Sequence, residues 1–139
     1  MPLREGPFET VSLIRDPYVL VTHAGGDERD VEDVAGKRLL GIRRCHHERL
    51  VEARLLAEGV KPSSISRFDD NGMIQALAAA GEGVAIVPRL TVDVDDPRVD
   101  VHPLPSLAPR QIVAAWHRER QQSPAARALV DVAADVCAQ

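Results

Sequence analysis

The sequence predicts an α/β domain in which short strands alternate with helices. Three observations carry that reading. The stretch from Asn71 to Arg89 reads as a capped helix, a glycine stop and a four-residue apolar run, Val84 to Val87, held between Gly83 and Pro88. A run that short suits a strand covered on both faces. Apolar residues recur at helical spacing in three segments, and β-rich runs separate those segments. The hydrophobic fraction of 45 % is high enough for a packed core, yet aromatics make up only 3 %, so Leu, Val, Ile and Ala must build it.

Taken in order, Val11 to Ile14 and Tyr18 to Thr22 are β-rich, and Arg15-Asp16-Pro17 separates them. Ala24 to Asp27 is a loop. Val31 to Ala35 gives a helical turn or two, stopped at Gly36, and Arg38 to Ile42 is a strand. His46 to Glu58 reads as a helix whose apolar face is Leu50, Ala53, Ala57 and Val60, closed by Gly59 and Pro62. Ile65 to Phe68 is a strand. Asp69, Asp70 and Asn71 are N-cap types ahead of Met73, Ile74, Leu77 and Ala78, with Gly81 after them. Val99 to Leu104 and Gln111 to Trp116 are two further strands. Ser123-Pro124 opens a last helix, with Leu129, Val130, Ala133 and Val136 on one face. Arg89 to Pro97 is the most linker-like stretch, a place for the chain to cross between two lobes.

The composition excludes several functions. A net charge of −4 lacks the basic cluster that phosphates demand, so DNA binding by this segment alone is not expected. Too few aromatics are present to stack single-stranded bases. Two cysteines, Cys45 and Cys137, give no disulfide framework, and reduced thiols are the simpler reading, although one bridge between them would also fit. No apolar run reaches membrane-spanning length, and Met1 to Pro7 lacks the apolar stretch of a secretory signal. A cytoplasmic location is expected.

Four segments carry a family resemblance, and they occur in the family's order. Asn71-Gly-Met-Ile-Gln-Ala-Leu-Ala-Ala-Ala-Gly-Glu-Gly-Val-Ala-Ile-Val-Pro-Arg89 resembles the helix, glycine stop, buried strand and Pro-Arg of the LysR-type effector domain. Pro17 to Thr22 resembles the strand opening that domain's second lobe, and Val31 to Ile42 its helix–strand step. Arg110 to Arg118 with Ser123 to Leu129 resembles its closing strand and last helix. The resemblance implies a type II periplasmic-binding-protein-like fold with one complete α/β lobe and the returning part of the other. Residues of about 20–92 would form lobe two, and 1–19 with 93–139 would be part of lobe one. The family's winged helix-turn-helix has no counterpart here, so the resemblance implies that DNA is reached only through an absent N-terminal domain.

By the same resemblance, two loops of lobe two would line an effector cleft. One is Ile42, Arg43, Arg44, Cys45 and His46; the other is Asp69, Asp70, Asn71, Gly72 and Met73. Both stand after a strand and at a helix start, where free N–H groups and a positive partial charge gather. Each residue also has a plain structural reading. The acidic pair and Asn71 serve as N-caps, Arg43 and Arg44 as solvated charges, and Met73 as core. Thr22 and His23 would mark the hinge into lobe two, and Pro88 and Arg89 the return. Cys45, His46 and His47 lack zinc-site spacing, so no metal is expected. A Cys45–His46 nucleophile pair has no supporting motif, and Gly81-Glu82-Gly83 runs from helix into strand, the wrong order for a dinucleotide loop. No cofactor and no catalysis are expected. The expected function is small-molecule sensing for a transcription regulator, with a solute-binding protein of the same fold as the alternative. Strand edges left open by the partial lobe point to a dimer or larger homo-oligomer.

Overall fold

The computed structural model describes residues 6–43 and 46–138, apart from the side chain of residue 47. The elements are β1 (Phe8–Asp16), β2 (Tyr18–His23), a 3-10 turn (Val31–Val34), β3 (Arg38–Ile42) and α1 (His46–Ala57). They continue with β4 (Ser64–Phe68), α2 (Asn71–Ala79), β5 (Val84–Pro88), a 3-10 turn (Arg89–Thr91), β6 (Val99–Pro103), β7 (Arg110–His117) and α3 (Pro124–Cys137). The chain divides into two compact units. One is Pro17–Ala108; the other joins the residues up to Asp16 to those from Pro109 onward.

The Pro17–Ala108 unit is a five-stranded mixed sheet in the order β4-β3-β5-β2-β6. β3 runs parallel to both β4 and β5, and β2 runs antiparallel to β5 and β6. Side chains alternate across a strand, and the core splits accordingly. Leu20, Leu39, Val84 and Ile86 pack on one face with Val51 and Leu55 of α1 and with Val31 and Val34. Val19, Val21, Leu40, Ala85 and Val87 pack on the other face with Ile74 and Ala78 of α2. Leu20 and Leu40 keep no exposed surface, and each such burial stabilises the fold by about 2 kcal/mol. The helices lie on opposite faces because β4 and β5 flank β3 on opposite sides, and right-handed crossovers then alternate faces.

The segment from Asn71 to Arg89 folds as the sequence predicts. Asp70 accepts the Met73 N–H at 2.8 Å and caps α2. Gly81 takes a left-handed φ of 76°, and the Glu82 N–H closes on the Leu77 carbonyl at 3.0 Å. Gly83 is needed for a different reason. A Cβ there would stand 2.5 Å from the Arg38 carbonyl oxygen, so any side chain would force β3 to give way at this close approach. All five residues of β5 are buried.

Several expectations are corrected. The buried face of α1 is Val51 and Leu55, while Leu50, Ala53 and Ala57 are exposed. The sheet selects the pair at i, i+4 that carries branched side chains. Met73 is 52 % exposed and is not core. The Pro17–Ala108 unit takes in β6, which pairs with β2 from Val19↔Pro103 to His23↔Val99. The acidic stretch before β6 is a folded turn. The Asp96 carboxylate binds Arg98, whose guanidinium holds it far below the usual carboxylate range, and Gln75 bonds to Asp93 in both directions.

The second unit is a two-stranded antiparallel sheet of β1 and β7, paired from Phe8↔His117 to Asp16↔Arg110, with α3 against it. The Arg110 Nε and Nη2 both lie 2.7 Å from Asp16 Oδ2, whose side chain is fully buried. Ser123 caps α3 through the Ala126 N–H at 3.2 Å. Half-buried Val130 and Ala133 lie on its inner side as expected, but Leu129 and Val136 do not join them. With Val132 they form a stripe that is 58 to 69 % exposed.

Candidate functional site

The chemistry-bearing loops meet at the C-terminal ends of β3 and β4. These strands are adjacent and parallel, with Ile42 opposite Phe68. The chain leaves β3 toward α1 on one face and leaves β4 toward α2 on the other. β4 lies on one side of β3 and β5 on the other, so the strand order reverses at β3, and the topological switch point at which open α/β sheets hold ligands falls at the C-terminal ends of β3 and β5, where the loop after Ile42 begins. The pairing of β3 with β4 places Ile42 and Arg43 beside Phe68 and Asp69, and Arg44 and Cys45 of the first loop lie outside the described residues.

Arg43 ties the two loops together. Its N–H donates to the Phe68 carbonyl at 2.7 Å, Nε lies 3.2 Å from Asp69 Oδ1, and Nη2 donates to the Arg67 carbonyl at 3.3 Å. Both partners of the Arg43–Asp69 pair are largely exposed, so the pair is worth less than about 1 kcal/mol. It nevertheless takes up the guanidinium that an anionic ligand would seek. Asp70 is committed to its cap. Ile42 and Phe68 half-bury their side chains against the α2-side core, while Gly72 and Met73 are exposed at the start of α2. A crevice of about 10 Å³ beside Asn71, Ile74 and Val87 holds no more than one water.

The hinge residues separate into two groups. Pro88 and Arg89 stand at the same end of the sheet as the loops, and the Arg89 N–H donates to the Pro17 carbonyl at 2.8 Å. Thr22 and His23 lie at the opposite end. Thr22 is buried within β2 opposite Asp100, and His23 Nδ1 is 2.7 Å from the Ala79 carbonyl. They are not at a junction between units. The junctions fall at Asp16–Pro17 and Ala108–Pro109, and both resume with a proline.

One site-adjacent residue escaped the sequence reading. Glu48, in the first turn of α1, accepts the Ile42 N–H at 2.7 Å. Burial pushes its pKa up, the Ile42 N–H opposes that shift, and nearby Glu52 adds to it. The one available signal was Gly41 inside an apolar strand, a mark of close approach. Among the described residues no group of His, Cys, Asp and Glu could hold a metal ion.

A family profile, the LysR substrate binding domain, matches residues 1–138. The chain belongs to that family. Its fold is accordingly the type II periplasmic-binding-protein-like α/β fold. Solved structures agree with the LysR assignment at the level of fold. The chain resembles the regulatory domain of CcmR from Synechocystis, solved in complex with 2-PG, at 16 % identity and a TM-score of 0.80, covering 99 % of this chain and 70 % of that one. It resembles the effector binding domain of QuiR in complex with shikimate at 18 % identity and a TM-score of 0.79, covering 99 % and 69 %. It also resembles the reduced OxyR regulatory domain from Pseudomonas aeruginosa at 22 % identity and a TM-score of 0.69, covering 100 % and 69 %. The chain spans about half of full-length BenM, 49 % at 19 % identity. No curated protein matches the sequence.

Proposed function

We propose that this LysR substrate-binding domain senses a small-molecule effector for a transcription regulator, as a binding module and not as an enzyme. The observation that carries the proposal is the contact of Arg43 with Phe68 and Asp69 at the strand ends, beside the switch point between β3 and β5. Ligands at such a point are held by strand-end and helix-start groups. The effector lodges against these loops and favours one arrangement of the two units over another, with Pro17 and Pro88-Arg89 at the hinge end of the sheet. A ligand shifts that equilibrium only by its difference in affinity for the two arrangements. DNA is reached through a winged helix-turn-helix outside this chain, and the regulator works in the cytoplasm. Among the described residues no helix is long and apolar enough to cross a membrane.

Self-association belongs to the same proposal. The exposed Leu129, Val132 and Val136 stripe supports it, as do the outer edges of the two-stranded sheet, which no other strand pairs among the described residues. Sedimentation of the chain should show a species larger than a monomer.

Three relatives were solved with 2-PG, shikimate and benzoate. A panel of those three molecules with hydroxy acids, sugars and amines is the starting set for a test. In a ¹⁵N-labelled sample, a hit should move the amide signals of Ile42, Arg43, Asp69 and Asn71. A hit that moves only signals near Thr22 and His23, at the far end of the sheet, overturns the site. A solute-binding protein of the same fold has no observation of its own in its favour.

A further inference from the structure

We infer that Glu48 is a positioning residue for the Ile42–His46 loop: its carboxylate takes the strand-end amide that β5 does not pair, and so sets where this loop leaves the sheet. The relevance to ligand binding rests on the site proposed above; the contact itself does not.

Amides along a strand point alternately to the two sides. The Arg43 N–H faces β4, because it donates to the Phe68 carbonyl. The Ile42 N–H therefore faces the β5 side. Pairing between β3 and β5 stops at Leu40↔Ala85, so the ladder offers no partner there. The Glu48 Oε1 fills that place at 2.7 Å. An ionised acceptor on a backbone N–H makes one of the stronger hydrogen bonds of a protein.

Gly41 is the second half of the device. A Cβ at this position would lie inside the Glu48 carboxylate, far closer than any van der Waals contact. The acid can lie along β3 only because residue 41 has no side chain. Gly41 itself is buried, and Glu48 is half-buried. The charged groups that bear on Glu48 are Glu52 on its own helix and Arg67 on β4, and these two form an ion pair with each other. The guanidinium is thus shared, and burial keeps the pKa of Glu48 above its ordinary value. The protonated acid is a weaker acceptor than the carboxylate. Ionisation strengthens this hydrogen bond, but burial outweighs it, so the net contribution of Glu48 to the fold falls as the group ionises.

The test follows the Ile42 amide signal of the full chain by ¹⁵N NMR between about pH 4 and pH 8, a span that brackets a raised Glu titration. In the parent protein the signal should move with a midpoint above 4.5, the ordinary value for this side chain. In Glu48→Gln the side-chain oxygen still accepts the N–H, so the fold stays but the movement should vanish. In Gly41→Ala the acid remains titratable but is pushed aside, so the Ile42 signal should cease to follow it. Both variants should also move the Arg43 and His46 signals while leaving Gly81 unchanged. Titration of the Ile42 amide that persists in Glu48→Gln overturns the inference, as does an unmoved loop in both variants. Should Glu48→Gln not fold, Gly41→Ala decides alone. No ligand enters this experiment, so a failed effector screen and a failed positioning role give separate results.

Discussion

Replacing Arg110 by Ala tests what joins the two strands of the smaller unit. Arg110 and Asp16 are cross-strand partners at the last pair of the β1–β7 ladder, next to both junctions with the larger unit. Two guanidinium nitrogens reach the same buried carboxylate oxygen at 2.7 Å. Removing one partner of a buried pair leaves a charge poorly compensated, at about 3–5 kcal/mol. The Arg110 side chain is 21 % exposed, so water can partly fill its place, and about 3 kcal/mol is the figure to expect. With a urea dependence near 2 kcal/mol per molar, the midpoint should fall by roughly 1.5 M. Trp116 is the only tryptophan and sits on β7, so its fluorescence reports this unit, while circular dichroism reports the whole chain. The fluorescence midpoint should fall further than the dichroism midpoint. Arg110→Lys keeps the charge without the forked geometry and should lie between parent and Ala. An Arg110→Ala midpoint within about 0.3 M of the parent would refute the reasoning, because it would mean the buried pair contributes almost nothing.

Three further outcomes follow from local geometry. Asp70→Ala removes the α2 cap and should cost about 1 kcal/mol in thermal or urea unfolding; an unchanged midpoint would show that the Met73 N–H finds another acceptor. Gly83→Ala should cost about 1–3 kcal/mol, since backbone atoms of β3 would have to yield to the new methyl group, and equal stability would sink that packing argument. Glu48→Gln should gain stability over the parent as pH rises. The folded pKa is raised, so the parent's contribution from this group is fully present below 4.5 and is lost as pH climbs through the folded value. Urea midpoints at about pH 4 and pH 7 should show a difference that opens only at the higher pH.

Legibility in the sequence followed the range of the forces involved. The Asn71–Arg89 segment was readable because each of its signals is local: Asp70 caps three residues on, Gly81 ends the helix within one turn, and Val84–Val87 is apolar throughout. The loop positions were readable for the same reason, as strand ends preceding helix starts. The face of α1 was not. Leu50, Val51, Leu55 and Leu56 point around the helix in several directions, and only the sheet beneath decides which are buried. The acidic turn before β6 resembled a linker because its carboxylates bind groups close by in sequence, such as Arg98, and one on α2, Gln75, which composition does not reveal. Thr22 and His23 were misplaced because the strand direction of β2 fixes which end of the sheet they occupy, and that is set by pairing with β5 and β6.

The same long-range pairings change what the site can prefer. Read singly, Arg43 and the start of α2 are anion-seeking groups. In the folded unit each has already met a carboxylate of the chain itself: Asp69 for Arg43, Asp70 for the Met73 N–H, and Glu48 for the free amide of Ile42. An anion that bound Arg43 at the proposed site would compete with Asp69, and that exposed pair is weak. A ligand rich in hydroxyl or amine donors meets no such competition, because Asp69 still has lone pairs to offer. At the proposed site a carboxylate would compete with Asp69 for Arg43, whereas a ligand that donates hydrogen bonds would find an acceptor in Asp69.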